Sequence, residues 1–100
     1  MREDRQRLDK WLWFARLAKT RSLAAKLVAS GFVRVNGQRV DQAAKAVAVG
    51  DVLTVALTRT TVVVRIEALG ERRGPAPEAQ ALYRHVGRDD GQLVSRDGTR

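Results

Sequence analysis

The chain has 100 residues, no cysteine and one histidine, His85. That allows one domain with a modest core and removes disulfides, thiolate metal sites and histidine-based triads. The formal net charge is +8, and residues 1–50 hold 11 Lys/Arg against 4 Asp/Glu, a lopsided basic distribution of the kind that meets a polyanion. No apolar run approaches the ~18 residues of a membrane span, and Met1 to Lys10 is charged throughout rather than signal-like, so a cytoplasmic protein without a membrane partner is expected.

Residues 7–18 read as a first helix, because Leu8, Trp11, Leu12, Ala15 and Ala18 recur at spacings of three and four. Trp13 and Phe14 widen its apolar surface, and one of them is expected to be exposed. A second helix follows within a residue or two. Thr20 is its N-cap, with Ser22 as competitor, and Leu23, Ala24, Leu27 and Val28 form its buried stripe. Gly31 fits the left-handed residue beyond its end. Phe32 to Val35 then run as a strand into Asn36-Gly37, a type I′ hairpin signal because both residues must take positive φ. The return strand leaves through Arg39 and Val40. Ala46 to Val49 is extended or irregular, and Gly50-Asp51 is a turn in which Asp51 is expected to cap rather than catalyse. Val52 to Leu57 and Val62 to Leu69 are strands joined through Thr58 to Thr61. Pro77 suits the first turn of a third helix with Ala79, Leu82, Tyr83 and Val86 as its stripe. Residues 87–100 are polar and of mixed charge and read as a disordered tail. The sum is an α+β arrangement: two N-terminal helices packed on a small, mostly antiparallel sheet, plus a C-terminal helix. Its divisions are residues 1–70 for the main domain, 71–86 for a helical extension and 87–100 for the tail. The methionine start and tail-like end are read as those of a whole chain.

No catalytic set emerges. The acids are scattered, His85 stands beside Arg84 without a partner in sequence, and "GERRGPAP" lacks the glycines of a phosphate-cradling loop. No enzyme activity, metal site or cofactor is therefore expected. The basic residues do form a constellation. Residues 5–45 carry 10 basic and 2 acidic side chains, and the whole chain has 15 arginines to 4 lysines, a bias that suits bidentate phosphate contacts. Arg7 and Lys10 share a helical edge, and Arg16 and Lys19 lie further along. Lys19, Thr20 and Arg21 stand at the start of the second helix, whose free N–H groups favour an anion. Lys26 lies on that helix, Arg34, Asn36 and Arg39 surround the hairpin, and Lys45 follows it. Folding the helix pair against the hairpin is expected to gather these charges into one patch for a phosphate backbone. An exposed Trp13 or Phe14 would stack on an unpaired base, and Phe32 is a further candidate for exposure, beside Arg34.

"RLDKWLWFARLAKTRSLAAKLVASGFVRVNGQRV" followed by "VGDVLTV" resembles the RNA-binding domain named after ribosomal small-subunit protein S-four. Arg-Leu-Asp, the Thr-Arg helix start, Gly-x-Val-x-Val-Asn-Gly and Val-Gly-Asp come in the family's order from Arg7 to about Val55. With "RRGPAPEAQALYR" the chain is similar to the small ribosome-associated heat-shock protein fifteen family within that class. The resemblance implies the S-four-like fold (the alpha-L motif) and binding of structured RNA through the helix pair and hairpin. It also implies a partner in ribosomal RNA, on large subunits that carry a nascent chain on tRNA, and a role in rescuing stalled translation after heat shock. Carried onto this sequence, the RNA-binding residues are Arg7, Lys10, Arg16, Lys19, Thr20, Arg21, Lys26, Arg34 and Asn36, with Arg39 and Lys45 as weaker inclusions. The family often has a basic tail, whereas "GRDDGQLVSRDGTR" balances three arginines with three aspartates. A monomer is expected. Two other readings stand beside this one: a binder of another structured RNA such as tRNA, and a DNA-binding module. The short second helix, running straight into a hairpin, argues against a major-groove reader.

Overall fold

The computed structural model describes residues 4–86. Its elements are β1 (Gln6–Arg7), α1 (Leu8–Phe14), α2 (Arg21–Ala29), β2 (Val33–Val35), β3 (Gln38–Val40), β4 (Ala46–Val47), β5 (Val52–Ala56), β6 (Thr61–Ile66), α3 (Ala76–Gln80) and β7 (Tyr83–His85). Five strands form an antiparallel sheet in the order β3-β2-β5-β6-β7, and β1 pairs with β4 in a separate two-stranded ribbon. Helices α1 and α2 cover one face of the large sheet. Leu8, Trp11, Leu12, Ala15 and Ala18 are all buried, as the spacing predicts, and meet Val33, Val35, Leu53, Val55, Val64 and Ile66 from the strands. Alternation along the strands sends Arg34 and Arg65 to the opposite, open face.

The first helix stops four residues earlier than its apolar spacing indicates. Arg16 takes φ 61°, its N–H bonds to the Trp13 carbonyl at 3.1 Å, and the Leu17 N–H reaches back to Leu12 at 3.0 Å. This is a Schellman ending with arginine in the place usually held by glycine. Ala15 and Ala18 are buried, but on this reversal rather than on a continuing helix. The second helix ends the same way: Gly31 has φ 82°, and the Phe32 N–H bonds to Leu27 at 3.1 Å. Its N-cap is Thr20, whose hydroxyl accepts the Leu23 N–H at 3.0 Å. Leu23 itself is 47% exposed, a departure from the expected buried stripe.

The hairpin forms as the sequence indicates, with Asn36 at φ 53° and Gly37 at φ 85°. The largest difference lies near the C-terminal end of the described chain. The third helix is confined to Ala76–Gln80, and Tyr83–His85 is a strand that pairs Ile66 with Tyr83, Arg65 with Arg84 and Val64 with His85. Strand β6 would otherwise present unpaired backbone groups along an apolar edge, and the β-forming Tyr83 completes it. Residues 83–85 thus share a sheet with residues 33–66. The tail expected at residues 87–100 lies outside the described residues.

Side chains fasten the chain segments around this frame. Gln6 exchanges two hydrogen bonds with the Gly70 backbone, donating at 2.8 Å and accepting at 3.1 Å, and the Phe14 ring lies where a Cβ on Gly70 would project. The buried Trp11 indole donates to the Ala68 carbonyl at 3.0 Å and meets Tyr83 edge-on, with centroids 6.2 Å apart. Among the described residues no helix is long and apolar enough to cross a membrane, and no three His, Cys, Asp or Glu residues cluster as metal ligands.

Candidate nucleic-acid interface

Asp9 organises the basic surface at the start of the helix pair. It is the buried charged residue of the core, 3% exposed, held there because α1 begins against the loop before β4. The Leu8 N–H bonds to the Lys45 carbonyl at 2.9 Å and the Asp9 N–H to Ala43 at 3.1 Å, which satisfies helix donors that have no partner within α1. The Asp9 carboxylate then accepts the Lys10 N–H at 2.7 Å and two parallel bonds from the Arg7 guanidinium, both at 3.1 Å. Arg21, from the first turn of α2, approaches the same carboxylate at 3.8 Å. A bidentate pair of this kind fixes the plane of the guanidinium. The hydrogen bonding of Arg7 to Asp9, and then the Asp9 charge, raise the Arg7 pKa above the ordinary guanidinium value. Arg7 and Arg21 remain exposed, so two cations from different elements meet solvent around one buried anion.

A second cluster sits at the other end of α2. Arg34 and Arg39 are directly opposed across the hairpin, and Arg34 also faces Thr54. Both arginines are exposed, and like charges in this register repel. The Arg39 guanidinium lies across Gly31, where any Cβ would overlap it. The nine residues of α2, at about 1.5 Å rise each, separate the two clusters.

The remaining predicted residues take other places. Lys19 and Lys26 flank a groove beside Leu23 and Phe32. Thr20 is occupied as the cap. The Lys10 ammonium stands 5.7 Å above the Phe14 ring. Arg16 donates to the Gly74 carbonyl at 2.8 Å, while Arg73 donates to Trp13 at 3.2 Å and covers its ring at 5.7 Å. These contacts dock the 70–75 connector on the end of α1. Asn36 turns its amide inward, accepting the Val52 N–H at 2.9 Å and donating to Asp51 at 3.2 Å. Asp51 also accepts the Ala48 N–H at 3.0 Å, a turn-capping role as expected. Lys45 is exposed beside the start of α1. Of the predicted cations, Arg7 and Arg21 thus share one carboxylate, and Arg34 and Arg39 face each other across the hairpin. Asp9 was absent from the sequence-derived set, although its place in Arg-Leu-Asp, as one of two acids among the basic residues 5–45, is the signal that marks it.

The S4 domain family model matches residues 6–53, which contain both clusters. The chain is 45% identical to the heat shock protein 15 homolog of Haemophilus influenzae, over 86% of this chain and 65% of that protein. The trimeric structure of Vibrio cholerae heat shock protein 15 superposes with a TM-score of 0.78 at 44% identity, covering 83% of each chain. The chain belongs to the heat shock protein 15 family. Within the wider S4 class it is also 36% identical to the small ribosomal subunit protein uS4 of Xanthobacter autotrophicus, over 91% of this chain and 42% of that one. The chain spans between 57% and 65% of the length of the Escherichia coli and Haemophilus heat shock protein 15 relatives. The α+β S4 architecture read from the sequence is thus the architecture of the family, with the C-terminal helix confined to Ala76–Gln80 before β7.

Proposed function

We propose that this protein is a non-enzymatic, cytoplasmic RNA-binding protein that docks on structured ribosomal RNA of the large subunit and acts in rescue of stalled ribosomes under heat shock. The observation that carries the reading is the Asp9 arrangement: a buried carboxylate within 3.1 Å of Arg7 and 3.8 Å of Arg21, in a chain whose only evident surplus is positive charge. An orienting anion beneath two exposed cations supports recognition of a phosphate backbone, where geometry as well as charge is selected. The opposed Arg34 and Arg39 support it independently, because a bound phosphate relieves their repulsion. Recognition is then of shape and backbone, the usual mode for folded RNA. Neutralising six to eight phosphates gives a slope of log K against log salt of roughly −4 to −7.

Sedimentation of lysate containing the tagged protein tests the reading. Co-migration with free large subunits, lost as salt rises, is the expected result. Protein that stays at the top of the gradient in both low and moderate salt sinks the ribosomal reading, and purified tRNA and duplex DNA then become the polyanions to compare. The Arg21→Ala variant should bind more weakly and with a slope flatter by about one. The trimer of the Vibrio relative makes the mass of the free protein, expected here as a monomer, a necessary part of the same experiment.

A further inference from the structure

Beside the two arginine clusters lies an open groove of about 700 Å³ between the end of α1, the flank of α2 and the β5–β6 turn. Its floor is apolar, with Leu23, Leu27 and Leu57. Lys19 and Lys26 stand among its lining residues, which include no acid. Phe32 is 55% exposed at its edge. Phe32 directly precedes the buried Val33 and falls on the exposed parity of the strand with Arg34, and the Schellman turn at Gly31 holds its backbone through the bond to Leu27 at 3.1 Å. We infer that this groove receives an unpaired RNA base, stacked on Phe32 over the leucine floor, with the adjoining phosphates met by Lys19 and Lys26. The chemistry matches a nucleotide part for part. An aromatic ring and aliphatic surface take the flat face of a heterocycle, and two ammonium groups take the anionic backbone beside it. An apolar peptide segment would leave both lysines without a counter-charge. The site rests on the RNA-binding reading above and adds to it a preference for RNA with a base outside the helix stack.

Two labelled RNA hairpins with one stem sequence test it. One is fully paired, and the other carries a single bulged 2-aminopurine. Anisotropy gives affinity, and the 2-aminopurine emission reports its unstacking from neighbouring bases. The native protein should bind the bulged hairpin about tenfold more tightly, within the range of base–aromatic stacking, and emission should change on binding. Phe32→Ala should reduce the bulged hairpin to the affinity of the paired one and leave the paired one unchanged. Phe32→Trp should keep the preference, and Arg21→Ala should weaken both hairpins alike. Thermal melting of each variant establishes that it is folded. Equal affinity for the two hairpins, whichever residue stands at position 32, overturns the base site and leaves the RNA-binding reading in place. Failure of the native protein to bind either hairpin overturns both. Sedimentation of the free protein covers the other occupant: an oligomer that Phe32→Ala dissociates assigns the groove to a second copy and overturns the base site.

Discussion

A carboxylate among so many cations poses a question of sign. By charge alone, removing Asp9 should strengthen RNA binding, since the chain becomes more positive. By geometry it should weaken binding, since an amide at position 9 accepts only one of the two bonds that fix the Arg7 plane and Arg21 loses its counter-charge. We expect geometry to prevail: Asp9→Asn should bind RNA about three- to tenfold more weakly despite the gained positive charge, as measured by anisotropy at fixed salt. Tighter binding would show that Asp9 serves only the fold. Urea unfolding should show a loss of about 1–2 kcal/mol, modest because both arginines are solvated and exposed ion pairs contribute little. The Arg7 pKa is raised, so any stability from its pairing is fully present below the unfolded guanidinium value and disappears only as pH rises through the folded one. The contribution of Arg7 to binding should accordingly be flat between about pH 7 and 9.

At the scale of elements, the two helix endings show how differently one motif can be written. Gly31 ends α2 with a residue that any sequence reading marks as a terminus. Arg16 ends α1 without such a mark, in a backbone region that is costly for arginine, and is held by its bond to the Gly74 carbonyl. The glycines separate backbone strain from crowding. A Cβ on Gly37 meets nothing within 4 Å, so Gly37→Ala should cost only the positive-φ penalty, about 1 kcal/mol. Gly31→Ala carries the same penalty and also displaces Arg39. It should destabilise by about 1–2 kcal/mol and weaken RNA binding as well, whereas Gly37→Ala should leave affinity nearly unchanged. Equal affinities for the two variants would remove Arg39 from the interface.

At the scale of the whole molecule, residues 68–86 close a structure whose first half holds the basic clusters. The Ala68 carbonyl receives the Trp11 indole, Gly70 is gripped by Gln6, and Tyr83 lies against Trp11. Trp11→Phe keeps most of the buried ring but leaves the Ala68 carbonyl without its donor. It should cost about 1–3 kcal/mol, read as a lower urea midpoint with an unchanged slope. The RNA salt slope should not move, because no cation is altered.

Much of this protein is written locally. The hairpin follows from Asn36-Gly37 because only a few residues tolerate positive φ twice in succession. The α2 boundaries follow from Thr20 and Gly31, and the buried face of α1 from the spacing of Leu8, Trp11 and Leu12. The basic character follows from composition. Tertiary structure alone decided the rest. The stripe Ala79, Leu82, Tyr83 and Val86 has helical spacing, and the open edge of β6 nevertheless claims Tyr83–His85 as a strand. The early end of α1 depends on a carbonyl 58 positions away in sequence. The partner each cation takes is set at long range: Arg16 with Gly74 and Arg73 with Trp13, against Arg7 and Arg21 gathered on Asp9. Charge is counted along a sequence, but its direction is set by contacts that exist only after the chain has folded.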